Sequence, residues 1–111
     1  MKTNIVVPVY NQPEDLKLTI RGLFKNTPRD LYQLWLVDNG SAAETTSLIA
    51  DIKSHDPDTQ VVRSEKNLGF PGGNNLALRQ IVSGHVCFLN SDTYCTPGRL
   101  EHLLAVFEID S

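Results

Sequence analysis

The stretch VCFLNSDTYC, residues 86–95, contains the pattern from which the fold of this chain can be predicted. Its first four residues are apolar and predict a buried β-strand. Asn90, Ser91 and Asp92 follow at once, so the predicted strand ends on an uncompensated carboxylate. Because a charge beside a core strand is unfavourable without a partner, the rest of the sequence has to indicate what that partner is.

Apolar runs that end in polar residues occur three more times along the chain. The four predicted strands are NIVVPV (4–9), YQLWLV (32–37), TQVVRS (59–64) and HVCFLN (85–90). A segment with helical spacing follows each of them, which predicts the order βαβαβαβα. Strands separated by single helices cannot form hairpins, so the predicted fold class is α/β. We expect a three-layer α/β/α, Rossmann-like architecture with a mainly parallel sheet.

The predicted helices have recognisable starts and inner faces. Pro13 suits the first turn of the first helix, and Ser41 with Glu44 predicts a capping box for the second. The third helix is expected over residues 74–83, after a glycine-rich loop, and the fourth after Thr96 and Pro97. The residues expected to face inward are Leu16, Ile20, Leu23 and Phe24; Leu48, Ile49 and Ile52; Ala77, Ile81 and either Leu78 or Val82; and Leu100, Leu103, Leu104 and Phe107.

Length and composition indicate one ordinary globular domain. The chain has 111 residues, a net charge of -3 and no basic stripe, so nucleic acid is not an expected partner. No apolar run approaches the roughly 20 residues that span a bilayer, and the first strand is too short for a signal-peptide core. We therefore expect a cytoplasmic protein. Cys87 and Cys95 are expected to be reduced thiols, and the three scattered histidines to be structural.

Each unusual polar motif follows a predicted strand. The motifs are PVYN (8–11), DNGS (38–41), NLGFPGGNN (67–75) and NSDT (90–93). In open α/β sheets the carboxyl ends of the strands form the ligand-binding edge, where helix N-termini favour anions. Two acids, Asp38 and Asp92, fall on the same edge, which suggests Mg²⁺ held between a carboxylate and a diphosphate. Taken singly, each motif could also be an ordinary turn, loop or helix cap.

Together, these motifs resemble those of GT-A fold glycosyltransferases of family 2. The resemblance is carried by IVVPVYNQ, LWLVDNGS, EKNLGFPGGNN and VCFLNSDT, which occur in the family's order from about residue 4 to about residue 104. The glycine-rich motif is similar to that of the rhamnosyltransferase-like branch. The resemblance implies that residues 1–111 are the nucleotide-sugar-binding, or donor, portion of such a domain, and that the acceptor portion is absent.

The resemblance also implies roles for individual residues. The first loop would line the nucleotide pocket, Asp38 and Asn39 would meet the base, and the glycine-rich loop would lie near the ribose and diphosphate. Asn90 and Asp92 match the family's D-x-D element, so Asp92 would hold Mg²⁺ or Mn²⁺. The expected nucleotide-contacting residues are Pro8, Val9, Tyr10, Asn11, Asp38, Asn39, Asn67, Gly69, Gly72, Gly73, Asn74, Asn90 and Ser91.

The function implied is metal-assisted transfer of a sugar, with inversion, from a UDP- or dTDP-sugar to the hydroxyl of a saccharide or lipid-linked acceptor. The family's catalytic base comes from a later segment, so the resemblance implies a base beyond Ser111. This chain alone is therefore expected to be inactive. Glu101 and Glu108 are expected to be solvated residues of the last helix.

The alternative is a non-catalytic nucleotide-sugar-binding module or remnant. Self-association through apolar surface, and peripheral association with the inner face of the cell membrane, are further expectations. A nucleotidyltransferase of similar layout is a weaker alternative, because such an enzyme would require a glycine-rich, basic first loop. PVYNQPED (8–15) is instead acidic and contains no glycine. The glycine-rich motif matches neither the dinucleotide-binding nor the P-loop pattern.

Overall fold

A computed structural model describes residues 3–81, 84–89 and 107–109, without the side chains of residues 70, 71 and 107–109. Its helices and strands alternate as the sequence predicts, until the last element. In chain order they are β1 (Thr3–Val9), α1 (Pro13–Asn26), a 3₁₀ turn (Arg29–Leu31), β2 (Tyr32–Asn39), α2 (Ala43–His55), β3 (Gln60–Ser64), α3 (Gly69–Leu78), β4 (Gly84–Phe88) and β5 (Phe107–Ile109).

The strands form one sheet in the order β3-β2-β1-β4-β5. β1 pairs in parallel with both β2 and β4, and β2 pairs in parallel with β3. β5 is antiparallel to β4, with Glu108 opposite His85. The prediction of an α/β fold with a mainly parallel sheet is therefore confirmed.

Side chains of alternate residues in the central strands enter two separate cores. On one face of the sheet, Ile5, Val7 and Val9 pack with residues of α1 and α2. On the other face, Val6 and Val86 pack with Ala77 and with Ile81, just beyond α3. Because both faces are covered, β1 and β2 are buried along nearly their whole length, as continuous apolar strands predict.

Polar side chains link the connections at the amino end of the sheet. Arg29, in the turn before β2, donates from Nε to Asp56 Oδ2 at 2.9 Å, and its Nη1 donates to the Tyr32 carbonyl at 2.6 Å. Thr59 Oγ1 donates to the same Asp56 oxygen at 2.6 Å. These contacts tie the loop before β2 to the loop before β3, on the side of the sheet away from the polar strand-end motifs.

The prediction of the last helix is wrong at its carboxyl end. Phe107 and Glu108 lie in β5, whereas the spacing of Leu100 to Phe107 predicted a helix that included both residues. Pairing with β4 supplies the edge of that strand with backbone hydrogen-bond partners, a gain that local spacing does not reveal. Glu101 and the other predicted residues of this helix lie outside the described residues.

Two further predictions about helices need correction. Phe24 is 37% exposed, and Thr19 is buried on α1 instead, because the inner stripe is centred on Leu16, Ile20 and Leu23. α3 begins at Gly69, five residues before its predicted start, because the glycine-rich stretch is helical rather than a loop. Pro71 falls in the first turn of α3, where a missing N–H removes no helical hydrogen bond.

Candidate functional site

The order of the strands reverses at β1, which is the topological switch point of the sheet. The chain moves outward from β1 through β2 to β3, and then returns to place β4 on the other side of β1. Leu89 N, just past β4, donates to the Val6 carbonyl at 2.9 Å, so the end of β4 lies against β1. In this class of sheet, ligands bind beyond the carboxyl ends of the strands at such a point.

The loop after β1 combines an exposed aromatic ring with unusual backbone geometry. Pro8 and Val9 are buried within β1, whereas Tyr10 is 45% exposed. Asn11 and Gln12 both adopt φ of 55°, in the left-handed region that costs energy for residues other than glycine. Such a cost persists only where the surroundings hold the backbone in place.

Asn11 supplies those surroundings by bonding to the loop after β2. Its backbone N donates to Ser41 Oγ at 2.9 Å, and its side-chain Oδ1 accepts from Ala42 N at 2.8 Å. The predicted capping box of Ser41 and Glu44 is therefore wrong. α2 begins after Ala42 without a cap from its own segment, because Ser41 is already bonded to the first loop.

Asp38 is a buried carboxylate whose two oxygens both have partners. Oδ1 accepts from Ser41 N at 3.0 Å, and Oδ2 accepts from Thr46 Oγ1 at 2.7 Å and from Arg63 Nη1. Arg63 also donates to Thr46 Oγ1 at 2.8 Å. The charge of Asp38 is thus compensated by the protein itself, and the side chain is only 1% exposed.

Asn39 points to the opposite face of the sheet and bonds to the start of α3. Its Oδ1 accepts from Leu68 N at 2.8 Å, and its Nδ2 donates to the Gly69 carbonyl at 2.9 Å. The side chain is buried, with 1% of the residue exposed. Both polar atoms of this amide are therefore used to hold the glycine-rich segment, residues 67–74.

Two glycines allow the loops to approach this closely. A Cβ on Gly40, which has φ of +78°, would lie 2.7 Å from the backbone of Lys66 and Asn67. A Cβ on Gly73 would lie 3.1 Å from Asn39 Nδ2. The contact between the loop after β2 and the glycine-rich segment therefore depends on the absence of side chains at both positions.

The remaining predicted residues of the glycine-rich segment lie on the same edge. Asn67 Oδ1 accepts from Gly69 N at 2.9 Å and so closes the turn before α3. Gly72 packs against Leu68. Asn74 Oδ1 is buried and has no hydrogen-bond partner among the described residues.

The structure thus brings together every predicted nucleotide-contacting residue from the first three strand ends. Asn90, Ser91 and the predicted metal ligand Asp92 lie outside the described residues. Within residues 3–81, 84–89 and 107–109, no group of three or more His, Cys, Asp or Glu residues could hold a metal ion.

The catalytic base is predicted beyond Ser111, and Ser111 itself lies outside the described residues. Asp38, the carboxylate at the end of β2, does not suit the role of base. Both of its oxygens already accept hydrogen bonds, and one of them is paired with the Arg63 guanidinium. A base beyond Ser111 therefore stays a prediction.

Two residues of this edge were not predicted from the sequence. Arg63 and Thr46 complete the surroundings of Asp38, from β3 and α2 respectively. A signal for Arg63 is present in the sequence, since QVVRS places a charge at the end of a β-branched run. Because the partner lies 25 residues away, only the pairing of β2 with β3 reveals the contact.

In the described part of the chain, no helix has both the length and the apolar character needed to cross a membrane.

The α/β fold of this chain matches that of GT-A glycosyltransferase structures. A mannosyltransferase from Pyrobaculum calidifontis, solved with GDP-Man and Mn²⁺, superposes with a TM-score of 0.78 at 24% identity. The match covers 95% of this chain and 31% of that one.

The sequence defines the family. The profile of Glycosyl transferase family 2 matches residues 4–111, and the chain belongs to that family. Staphylococcus aureus TarS 1–349, solved with UDP-GlcNAc, has a TM-score of 0.77 and 28% identity, and the match covers 95% of this chain and 30% of that one. TarS is named a poly(ribitol-phosphate) β-N-acetylglucosaminyltransferase.

A glycosyltransferase of Methanocaldococcus jannaschii is 26% identical over 99 residues, which are 88% of this chain and 34% of that protein. TarS, at its full length, is 27% identical over 110 residues, which are 97% of this chain and 19% of TarS. This chain therefore spans about a third or less of the length of these relatives.

Proposed function

We propose that this chain binds a nucleotide-diphosphate-sugar as the donor portion of a family 2 glycosyltransferase. The observation that carries the proposal is the meeting of the first loop, the loop after β2 and the glycine-rich segment at the carboxyl edge of one sheet. One feature of that edge suits a nucleotide: the exposed ring of Tyr10 offers a surface on which a base can stack.

The complexes of relatives support the class of ligand. TarS has been solved with UDP and with UDP-GlcNAc, and the Pyrobaculum enzyme with GDP-Man and Mn²⁺. For this chain we propose a UDP- or dTDP-sugar donor and a saccharide or lipid-linked acceptor. The glycine-rich motif is the basis for proposing the rhamnosyltransferase-like branch.

A divalent cation, Mg²⁺ or Mn²⁺, is part of the proposal on the strength of the sequence. Asp92 is the proposed ligand, with Asn90 and Ser91 beside the diphosphate. Asp38 is not proposed as a second ligand, because it is saturated by other contacts. When bound, the cation would neutralise charge on the diphosphate leaving group.

We further propose that residues 1–111 bind the donor but do not transfer its sugar. The acceptor portion and the base would belong to a segment beyond Ser111 in a longer enzyme. That enzyme would be located in the cytoplasm or at the inner face of the cell membrane. A binding module without catalysis is the second candidate. If a longer enzyme that contains this domain transferred a sugar with inversion, the result would favour the enzyme over the binding module.

The test is a thermal-melt series on the 111-residue chain with UDP, dTDP, GDP and ADP, each with and without Mn²⁺. A ligand at 100 times its Kd should stabilise the fold by about 2.7 kcal/mol. We expect stabilisation by the pyrimidine nucleotides that requires metal and disappears in Asp92→Ala.

Asp51→Ala, which removes an exposed acid from α2, is the matched control and should behave as wild type. The absence of any nucleotide effect would contradict donor binding, and equal effects in wild type and Asp92→Ala would contradict the metal site.

A further inference from the structure

Asn39 has a more specific role than the family resemblance gives it. The resemblance places this residue against the base of the nucleotide. In the structure, its side chain instead contacts two consecutive backbone groups of opposite polarity, the N–H of Leu68 and the carbonyl of Gly69. A side-chain amide can satisfy both, because it carries one acceptor and one donor group.

The surroundings leave the amide little access to a ligand. Only 1% of Asn39 is exposed, and Gly73 packs so closely that a Cβ there would lie 3.1 Å from Nδ2. The neighbouring Gly40 backbone lies against Lys66 and Asn67 in the same way. The Asn39 side chain holds the start of α3 to the end of β2, and the close approach of Gly40 joins the residues just before that helix.

We propose that Asn39 is a positioning residue that clasps the glycine-rich segment to β2. Its contribution to nucleotide binding is the placement of this segment, and it does not read the base. The inference rests on the proposed function for its ligand, but the clasp itself is a property of the chain without ligand. An aspartate at this position would lack the donor for the Gly69 carbonyl, so the identity of the amide matters.

The first arm of the test measures the clasp without any nucleotide. Hydrogen exchange at the Leu68 amide is compared in wild type, Asn39→Ala and Asn39→Asp, with Asn75→Asp as a control that places the same new charge at an exposed position of α3. Loss of the acceptor should raise the exchange rate of Leu68 about tenfold in Asn39→Ala. The control should exchange as wild type does. Unchanged protection of Leu68 in Asn39→Ala would overturn the clasp.

The second arm measures the Kd values of UDP, dTDP and CDP below the melting temperature of each variant, since cytosine presents a different hydrogen-bonding edge from uracil and thymine. Positioning predicts that Asn39→Ala weakens all three by a similar factor, about tenfold, and leaves their ratios unchanged. A loss confined to UDP and dTDP, with the Kd of CDP unchanged, would show that Asn39 reads the base and would overturn the proposal. A lower melting temperature with unchanged Kd values would show a purely structural role and would also overturn it. If wild type binds no nucleotide, the proposed function fails, and the exchange arm alone decides whether the clasp exists.

Discussion

Arg63 and Asp38 are direct cross-strand neighbours in the pairing of β3 with β2, and their side chains form an ion pair. The carboxylate is 1% exposed, whereas Arg63 is 38% exposed. The charge that DNGS places at the end of a core strand is thus compensated from the next strand of the sheet. Asp38 acts as an organiser of this edge, since its other oxygen holds the Ser41 amide.

Removal of the Arg63 cation should destabilise the fold. Arg63→Met leaves the buried Asp38 charge with only neutral donors, and we expect a loss of about 1–3 kcal/mol. This is less than the roughly 3–5 kcal/mol typical of fully buried pairs, because Arg63 is partly hydrated. The free energy of unfolding from urea titrations measures the effect.

The control is Lys17→Met, which removes one partner of the exposed Glu14–Lys17 pair and should cost about 0.5 kcal/mol or less. Equal stability of the two variants would contradict this view of Asp38.

Acid should weaken the contacts at the other end of the sheet through Asp56. Burial favours the neutral form of this carboxyl, but hydrogen bonds from Arg29 and Thr59 and the charges of Arg29 and Lys53 outweigh it, so the pKa of Asp56 lies below its usual value. A lowered folded-state pKa stabilises the fold above the unfolded-state value of about 3.9. This contribution is lost as the pH falls through the folded-state pKa.

Asp56→Asn should therefore be less stable than wild type at pH 6, and the difference should shrink by about pH 2.5. Urea titrations at the two pH values measure it. Asp58→Asn, the same change of charge at an exposed neighbouring position, is the control and should be as stable as wild type at pH 6. If Asp56→Asn lost as much stability in acid as wild type does, the contacts of Asp56 would not be the source of the effect.

Two glycine substitutions should distinguish a left-handed position between backbone atoms from a helical position. Gly40→Ala forces a left-handed residue and places Cβ 2.7 Å from backbone atoms, so we expect a loss of about 2 kcal/mol or more. A Cβ on Gly72 would lie 2.7 Å from Leu68 Cβ, an atom that rotation of the side chain does not move, so the residue before α3 has to shift. We expect Gly72→Ala to cost less than Gly40→Ala, because it forces no left-handed conformation and alanine favours helix. Thermal unfolding compares the two, and a smaller cost for Gly40→Ala than for Gly72→Ala would show that the loops can separate at Gly40.

The sequence predicted most of the fold because its strands are continuous apolar runs separated by single helices. NIVVPV and YQLWLV are buried on both faces, and this composition identifies central strands of a parallel sheet. The start of α3 was missed because Gly69, Gly72 and Gly73 predict a loop locally. In the structure Gly72 and Gly73 lie in α3, and the start of that helix bonds to Asn39, which is 30 residues away from Gly69.

For the site, the sequence identified the strand ends but not the contacts between them. DNGS predicted a turn that bears an acid, and the structure confirms its place on the sheet edge. Neither the Arg63 partner of Asp38 nor the bond from the Asn11 backbone to Ser41 follows from local spacing, because both join segments 25 or more residues apart. The wrong capping box has the same cause: the Ser41 hydroxyl is used across the loops rather than within its own helix.

The central place of β1 has a consequence for the order of synthesis. β1 is made before both of its neighbours, β2 and β4, and about 75 residues separate its end at Val9 from the start of β4 at Gly84. At a translation rate of about 5–20 residues per second, the edge of β1 that pairs with β4 stays unpaired for roughly 4–15 s during synthesis. During that interval the nascent chain presents an apolar strand with open hydrogen-bonding groups, the kind of surface that chaperones shield.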